Sequence, residues 1–395
     1  MIKRILYTLL IMFPVVASAQ INTDRVMAIG RNALYFEDYV LSIQYFNQVI
    51  NAKPYLSDPY FYRGLAKINL DDFQGAESDC SEAIERNPFV VSAYQVRGLA
   101  RIQQNNFAGA IEDYTKALEF DPENIGVWHN MALCRIRQED YKGAKNDLDK
   151  LIAISPRYTK AYLMRGEVDL KQKDTLAAEK DFGKAIEIDR YDADTWASRA
   201  ILRLQQQRYK DAEADFDHAI RLSTRNSGVY INRALARYHQ NNLRGAMSDY
   251  DIALDIDPNN FIGHYNRGLL RAQVGDDNRA IQDFNFVIEM EPDNMMAIFN
   301  RGLLLDQTGD YKGAIKDYST VINEYPNFLL GYQYRAQARR KIGDVKGADA
   351  DEFKVLKAQL DKQNGVDPNK QTADNTENNL SLIHISEPTR PLYIS

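Results

Sequence analysis

Residues 261–294 read FIGHYNRGLLRAQVGDDNRAIQDFNFVIEMEPDN, and residues 295–328 read MMAIFNRGLLLDQTGDYKGAIKDYSTVINEYPNF. Their small, aromatic and proline residues fall at matching places. Gly268 and Gly302, Ala280 and Ala314, Phe284 and Tyr318, and Pro292 and Pro326 each stand 34 residues apart. Self-similarity at a fixed period of this length marks a repeat architecture.

Outward from this pair the period runs from residue 23 to residue 362 without an insertion or deletion. The column of Gly268 holds Gly30, Gly64, Gly98, Ala132, Gly166, Ala200, Ala234, Gly302 and Ala336. The column of Ala280 begins at Ser42 and ends at Ala348. That of Phe284 passes through Phe46, Cys80, Tyr114, Leu148, Phe182, Phe216 and Tyr250, then breaks to Glu352. Proline closes seven units, and Arg190, Thr224 and Leu360 replace it in the others. The ten units are 23–56, 57–90, 91–124, 125–158, 159–192, 193–226, 227–260, 261–294, 295–328 and 329–362.

Within a unit, apolar residues recur at helical spacing in two runs, as in Tyr94, Gly98, Ile102 and then Ala110, Tyr114, Ala117. A turn such as Gly309-Asp310 separates the runs. The small residues at positions 8 and 20 let two helices approach, and the aromatic at position 24 fills the space beside them. Proline at position 32 cannot continue a helix. One helical hairpin cannot bury its apolar face, so neighbours must stack into a shared core.

With its aromatic at position 4, small residue at 8, alanine at 20, aromatic at 24 and proline at 32, the unit resembles the tetratricopeptide repeat. The resemblance implies an all-α fold: a right-handed superhelical solenoid of ten helix-turn-helix repeats. It also implies a binding scaffold whose first helices line a concave groove through positions 2, 5, 6, 9, 12 and 13. Those positions supply Phe61, Leu65 and Ile68, then Ile231, Leu235 and Tyr238, then Tyr265, Leu269, Phe299 and Leu303. The leucines at position 9 suit packing between adjacent first helices, while the aromatics at position 5 are expected to be exposed. Position 6 carries Asn232, Asn266 and Asn300 in three consecutive repeats. This resembles the asparagine ladder that holds an extended peptide by its backbone, since an amide both donates and accepts. Asparagine here equally suits satisfaction of local groups. The candidate peptide-binding residues are therefore Asn232, Asn266, Asn300, Tyr265, Phe299 and Tyr238. Position 5 holds no lysine, so the clamp for chaperone C-terminal carboxylates is absent.

Two charged columns depart from the family pattern. Position 7 is arginine in eight repeats, from Arg63 to Arg335, and position 23 is aspartate in nine, from Asp79 to Asp351. Pairing within a repeat strands only Asp147, opposite Met131; pairing with the next repeat strands three residues. The within-repeat ion pair is the expectation, with each arginine fork on one carboxylate.

The chain carries 49 Lys+Arg against 55 Asp+Glu, a formal charge of -6, spread evenly. No basic patch offers itself to a phosphate backbone, so nucleic acid is not an expected partner. The five histidines fall at unrelated places, and no nucleophile elbow, phosphate loop or CxxC pair occurs. No enzyme activity, cofactor or metal is expected. Cys80 and Cys134 lie two repeats apart, too far for a disulfide, and read as small core residues.

Lys3 and Arg4, the apolar run from Ile5 to Val16 and Ala17-Ser18-Ala19 read as a signal peptide over 1–19. No cysteine near Ala19 offers a lipoprotein anchor. Export is expected, to the periplasm of a Gram-negative bacterium, with no transmembrane span in the mature chain. Residues 363–379 are polar and read as a flexible linker. Residues 380–395, LSLIHISEPTRPLYIS, resemble a translated sequencing adapter and read as an artefact. Two functional classes follow: an exported scaffold for a protein or extended peptide, or the recognition arm of a longer protein whose signalling, membrane or catalytic part is missing. An oligomer through the terminal repeats is a further expectation, although Glu352 and Lys357 give the last repeat the character of a solubilising cap.

Overall fold

The computed structural model describes residues 22–222 and 225–363. The proposed signal peptide, Thr224, the linker beyond Gln363 and the adapter-like tail lie outside the described residues. Twenty helices and no strand occur among the described residues. They pair as ten helical hairpins, from Thr23–Tyr35 with Tyr39–Ala52 to Leu329–Lys341 with Val345–Gln363. The hairpins coincide with the ten sequence repeats. They group into two compact units divided between Ile188 and Asp189, with five repeats in each.

The helix boundaries have local causes. The second helix of most repeats starts at an Asp or Asn whose carboxylate or amide oxygen accepts a backbone N–H, as Asp38, Asp72, Asn106 and Asp310 do. The turn before that cap closes through one residue at position 15 in the left-handed conformation. Glycine fills it in repeats eight to ten, at Gly275, Gly309 and Gly343. In the first seven repeats the same place is taken by Glu37, Asp71, Asn105, Glu139, Lys173, Gln207 and Asn241, with φ between 59° and 64°. These side chains bear a steric cost that glycine avoids.

Inside most hairpins a ring at position 24 presses on the small residue at position 8; Cys80, Leu148 and Glu352 stand there in the other three. A methyl added to Gly166 would stand 2.6 Å from the Phe182 ring, and one on Gly98 would stand 2.8 Å from Tyr114. Phe46, Phe182, Phe216 and Phe284 are wholly buried. Each contributes about 2–3 kcal/mol by leaving water. Cys80 and Cys134 are buried free thiols, as expected of small core residues. Burial pushes the Cys80 thiol up to about 12, and the Asp79 carboxylate adds to the effect.

The arginine and aspartate columns form a lattice. All eight position-7 arginines bond both oxygens of the aspartate in their own repeat. In Arg233 the Nε and Nη2 atoms donate to Asp249 at 2.9 and 2.6 Å. In the repeat before Arg199, position 25 is Gly183, which has no side chain to accept. In the other seven of the eight the remaining nitrogen reaches back to position 25 of the preceding repeat, as from Arg63 to Asn47 at 2.6 Å and from Arg335 to Ser319 at 2.9 Å. One arginine thus ties three helices. Several aspartates take a second cation from position 11: Arg101 on Asp113, Arg237 on Asp249 and Arg271 on Asp283. Arg101 and Arg237 also reach Glu77 and Glu213 of the preceding repeats. Between repeats four and five the signs are exchanged, with Lys145 pairing Asp169. Asp147, the expected orphan, meets Arg135 at 2.8 Å.

The final helix partly departs from the cap expectation. Glu352 and Lys357 are exposed, but so are Phe353, Leu356 and Leu360 on the same helix.

Candidate functional site

The second unit holds a cavity of about 400 Å³ against the first helices of repeats seven, eight and nine. Those helices are Ser227–His239, Phe261–Gln273 and Met295–Thr308. Phe284, Asn300 and Leu304 form its buried floor, and Leu269, Leu303 and Tyr238 form its walls. Gln273 and Gln307 stand exposed at its rim, beside Ala272. None of the lining side chains is charged, in a chain where charged residues make up 26%.

The walls recur because the repeat recurs. Leu269 and Leu303 are the position-9 leucines of successive repeats, and Gln273 and Gln307 the position-13 glutamines. Helical spacing puts positions 6, 9 and 13 on one face of the first helix. Position 24 enters from the second helix, so Phe284 closes the bottom. The position-9 leucines therefore do both things considered for them: Leu269 is nearly buried, Leu303 is half-buried, and both border the cavity.

Of the six candidate residues, Tyr238 and Asn300 line this cavity. Asn232 and Asn266 are buried at 1% and 2% exposure, under the first-helix surface rather than on it. The Asn300 amide nitrogen donates to the Met296 carbonyl at 2.9 Å and to the Tyr265 hydroxyl at 3.2 Å. Burial pushes the Tyr265 hydroxyl well above the usual tyrosine range, and the bond from Asn300 opposes this only in part.

The expected exposure of the position-5 aromatics is overturned. Tyr265 and Phe299 have no accessible surface. Position 5 turns toward the second helix of its own repeat and toward the next repeat. Tyr265 packs edge-on to Phe284 at 5.8 Å, and Phe299 sits among Tyr318, Phe328 and Tyr334. Their place is the wall behind the cavity. Gln273, Gln307 and Ala272 were not singled out from the sequence. Positions 12 and 13 belong to the groove set, and the paired glutamines four residues beyond Leu269 and Leu303 were the available signal.

Among the described residues no group of three or more His, Cys, Asp or Glu could hold a metal ion. No helix among them is long and apolar enough to cross a membrane.

Comparison with known proteins agrees with the repeat reading. The family described as TPR repeat matches residues 98–134, and that described as Tetratricopeptide repeat matches 125–158, 159–192, 198–261 and 265–327. Together these cover more than half of the chain. A search of curated proteins returns no match. Among solved structures, a tetratricopeptide repeat protein from Parabacteroides merdae is 21% identical, with a TM-score of 0.49. It covers 63% of this chain and 98% of its own. PilF of Pseudomonas aeruginosa is 20% identical over 51% of this chain and 92% of its own, at a TM-score of 0.45. YrrB, described as a TPR protein with an unusual peptide-binding site, is 18% identical over 47% of this chain and 95% of its own, at 0.42.

Proposed function

The chain belongs to the tetratricopeptide repeat family, and we propose that it is a protein-interaction scaffold whose second unit takes an extended peptide segment. The observation that carries this is the uncharged cavity over repeats seven to nine. An apolar side chain of the peptide enters between Leu269 and Leu303, over Phe284. The amides of Gln273 and Gln307 meet the peptide backbone at the rim, where each donates to a carbonyl and accepts from an N–H. Asn300 and Tyr238 contact the ligand. Asn232, Asn266, Tyr265 and Phe299 hold the first helices in place behind it.

Apolar concavities with a few convergent polar groups are the usual form of a ligand site, and this volume falls in the usual range. Burial of one large side chain contributes about 1.5–3 kcal/mol. A modest affinity is the expected scale for a single anchor, with backbone bonds adding about 1 kcal/mol each. Export through residues 1–19 completes the reading and places the scaffold outside the cytoplasm.

The test is selection of a random peptide library on the full chain, followed by affinity measurement for the enriched sequences. Enriched peptides should share one large apolar residue and little charge. Leu303→Lys, at a half-buried wall, should weaken them at least about tenfold. Peptides that bind the Leu303→Lys chain as well as the unaltered one would overturn the reading.

A further inference from the structure

The two ends of the solenoid depart from the repeat pattern in complementary ways. Between neighbouring repeats within a unit, position 7 of one meets position 25 of the one before. At every such junction but one the pair is an arginine donating to a polar side chain, as in Arg63 to Asn47, Arg233 to Asp217 and Arg335 to Ser319. The exception sets Met131 in place of the arginine, with Thr115 at position 25. In repeat one, position 7 is Ile29, which is 36% exposed. In repeat ten, position 25 is Phe353, which is 66% exposed. Both halves of the pair have become apolar, each at the end where its partner repeat is missing.

A second pair of positions behaves similarly. Position 28 lies against position 3 of the next repeat: a methyl added to Gly263 would stand 3.0 Å from Leu254, and one on Gly331 would stand 3.0 Å from Ile322. In repeat ten, position 28 is the exposed Leu356. Position 3 holds a small, branched or proline residue in repeats two to ten, but Arg25 in repeat one. One helical turn before Leu356 stands Glu352, the single acidic residue in the position-24 column. Glu352 already takes Arg340 of its own repeat at 2.8 and 2.6 Å, and an arginine stem lying over Leu356 brings a second guanidinium to the same carboxylate.

We infer that the chain associates head to tail: repeat one of one copy stacks on repeat ten of a second copy as an eleventh repeat would. Ile29 covers Phe353, and Arg25 crosses Leu356 toward Glu352. The occupant is a second copy because the exposed end residues match each other in the spacing of the repeat, in apolar character and in charge. Among the described residues nothing covers Phe353 and Leu356, which stand exposed one helical turn apart as an apolar patch. The contact is heterologous, since each face meets a different one, so it leaves a free end on every pair.

The experiment is sedimentation of the full chain over the micromolar concentration range, with two variants. The unaltered chain should rise above its monomer mass of 45.3 kDa as concentration increases. Ile29→Arg alone sets arginine against Phe353, and Phe353→Asp alone sets a carboxylate against Ile29. Each should weaken association at least about tenfold. Both sites are on the surface, so unchanged thermal midpoints are expected for each. Mixing the two variants rebuilds an interior-type Arg–Asp contact at one junction and keeps the original contact at the other. The mixture should therefore associate as the unaltered chain does, and so should the double variant. An unaltered chain that stays monomeric overturns the inference. So does an Ile29→Arg chain that still associates alone, which would mean that like ends meet, and so does a mixture that fails to recover.

Discussion

Asp147 lies opposite Met131, where eight other repeats place an arginine. Its only charged neighbour at salt-bridge distance, among the described residues, is Arg135, whose Nε stands 2.8 Å from Oδ2 without hydrogen-bond alignment. Burial pushes the Asp147 carboxyl up to about 6, and Arg135 holds it back only in part. The folded state thus grips this proton more tightly than the unfolded chain, whose value is near 3.8. The stability that follows is complete below about pH 4 and is lost as pH rises through about 6, an effect on the order of 2–3 kcal/mol. Met131→Arg should rebuild the two-bond fork and abolish that loss. Urea midpoints of both chains between about pH 4 and pH 7 check this, and parallel curves would refute it.

Arg267 stands for the complete version of the same arrangement. It donates to Asp283 and also reaches back to Asp251 at 2.9 Å. Arg267→Met removes a half-buried cation but leaves Asp283 with Arg271 and His264. The loss should be about 1–3 kcal/mol, less than for a fully stranded buried charge. Arg340→Met is the control, because Arg340 bonds Glu352 on the open surface and its removal should leave the melting midpoint unchanged. Equal effects of the two substitutions would contradict the lattice as a source of stability.

His264 occupies position 4, where most repeats carry Tyr or Trp. Trp128, Tyr162 and Trp196 each donate from this place to the backbone carbonyl at position 32 of the preceding repeat. His264 makes the same contact through Nε2, to Pro258 at 3.0 Å, and adds a contact from Nδ1 to Asp283 at 2.9 Å. Burial drives the Asp283 carboxyl upward, but the bonds from His264 and Arg267 outweigh it and hold it below the usual range. In repeat three Tyr94 takes the histidine's place, and there burial prevails over Arg97 and Arg101, leaving Asp113 raised. A lowered carboxyl contributes stability above its unfolded value and loses it as pH falls. His264→Tyr should therefore move the acid-unfolding midpoint to higher pH. Carboxyl titration of Asp283 by NMR gives the direct readout: an unchanged Asp283 would exclude the histidine as the cause.

The hairpins were legible because a 34-residue column of small residues leaves no other packing, and the Arg–Asp pairs because their frequencies match. The reach of Nη1 to Asn47 or Ser319 was not legible, since position 25 varies among Asn, Ser, Asp and Thr, with Gly183 and Phe353 besides, and the contact needs only some acceptor there. The Lys145–Asp169 exchange was present as a sign reversal at positions 21 and 11, visible once Glu77–Arg101 and Glu213–Arg237 show that the two positions touch. For the site, Tyr265 and Phe299 misled because an aromatic on a first helix suits either a groove or the space above a second helix. Only the packing of Phe284 and Tyr334 decides between them.

The turn at position 15 offers a stability gain unconnected with any contact. Lys173 holds φ at 64° there, while Gly275, Gly309 and Gly343 hold the equivalent place in repeats eight to ten. A side chain in this region costs roughly 1–2 kcal/mol against its normal conformation, and glycine gives back about half through its greater freedom when unfolded. Lys173→Gly should thus stabilise the first unit by about 0.5–1 kcal/mol, seen as a raised Tm. The mirror substitution, Gly309→Lys, should lower Tm in the second unit by a similar amount, because a methyl carbon there meets no neighbouring atom and only the backbone conformation opposes it. If Lys173→Gly lowered Tm, the exposed lysine would have to contribute more than the strained backbone costs, and the left-handed turn would not be the weak point of the hairpin.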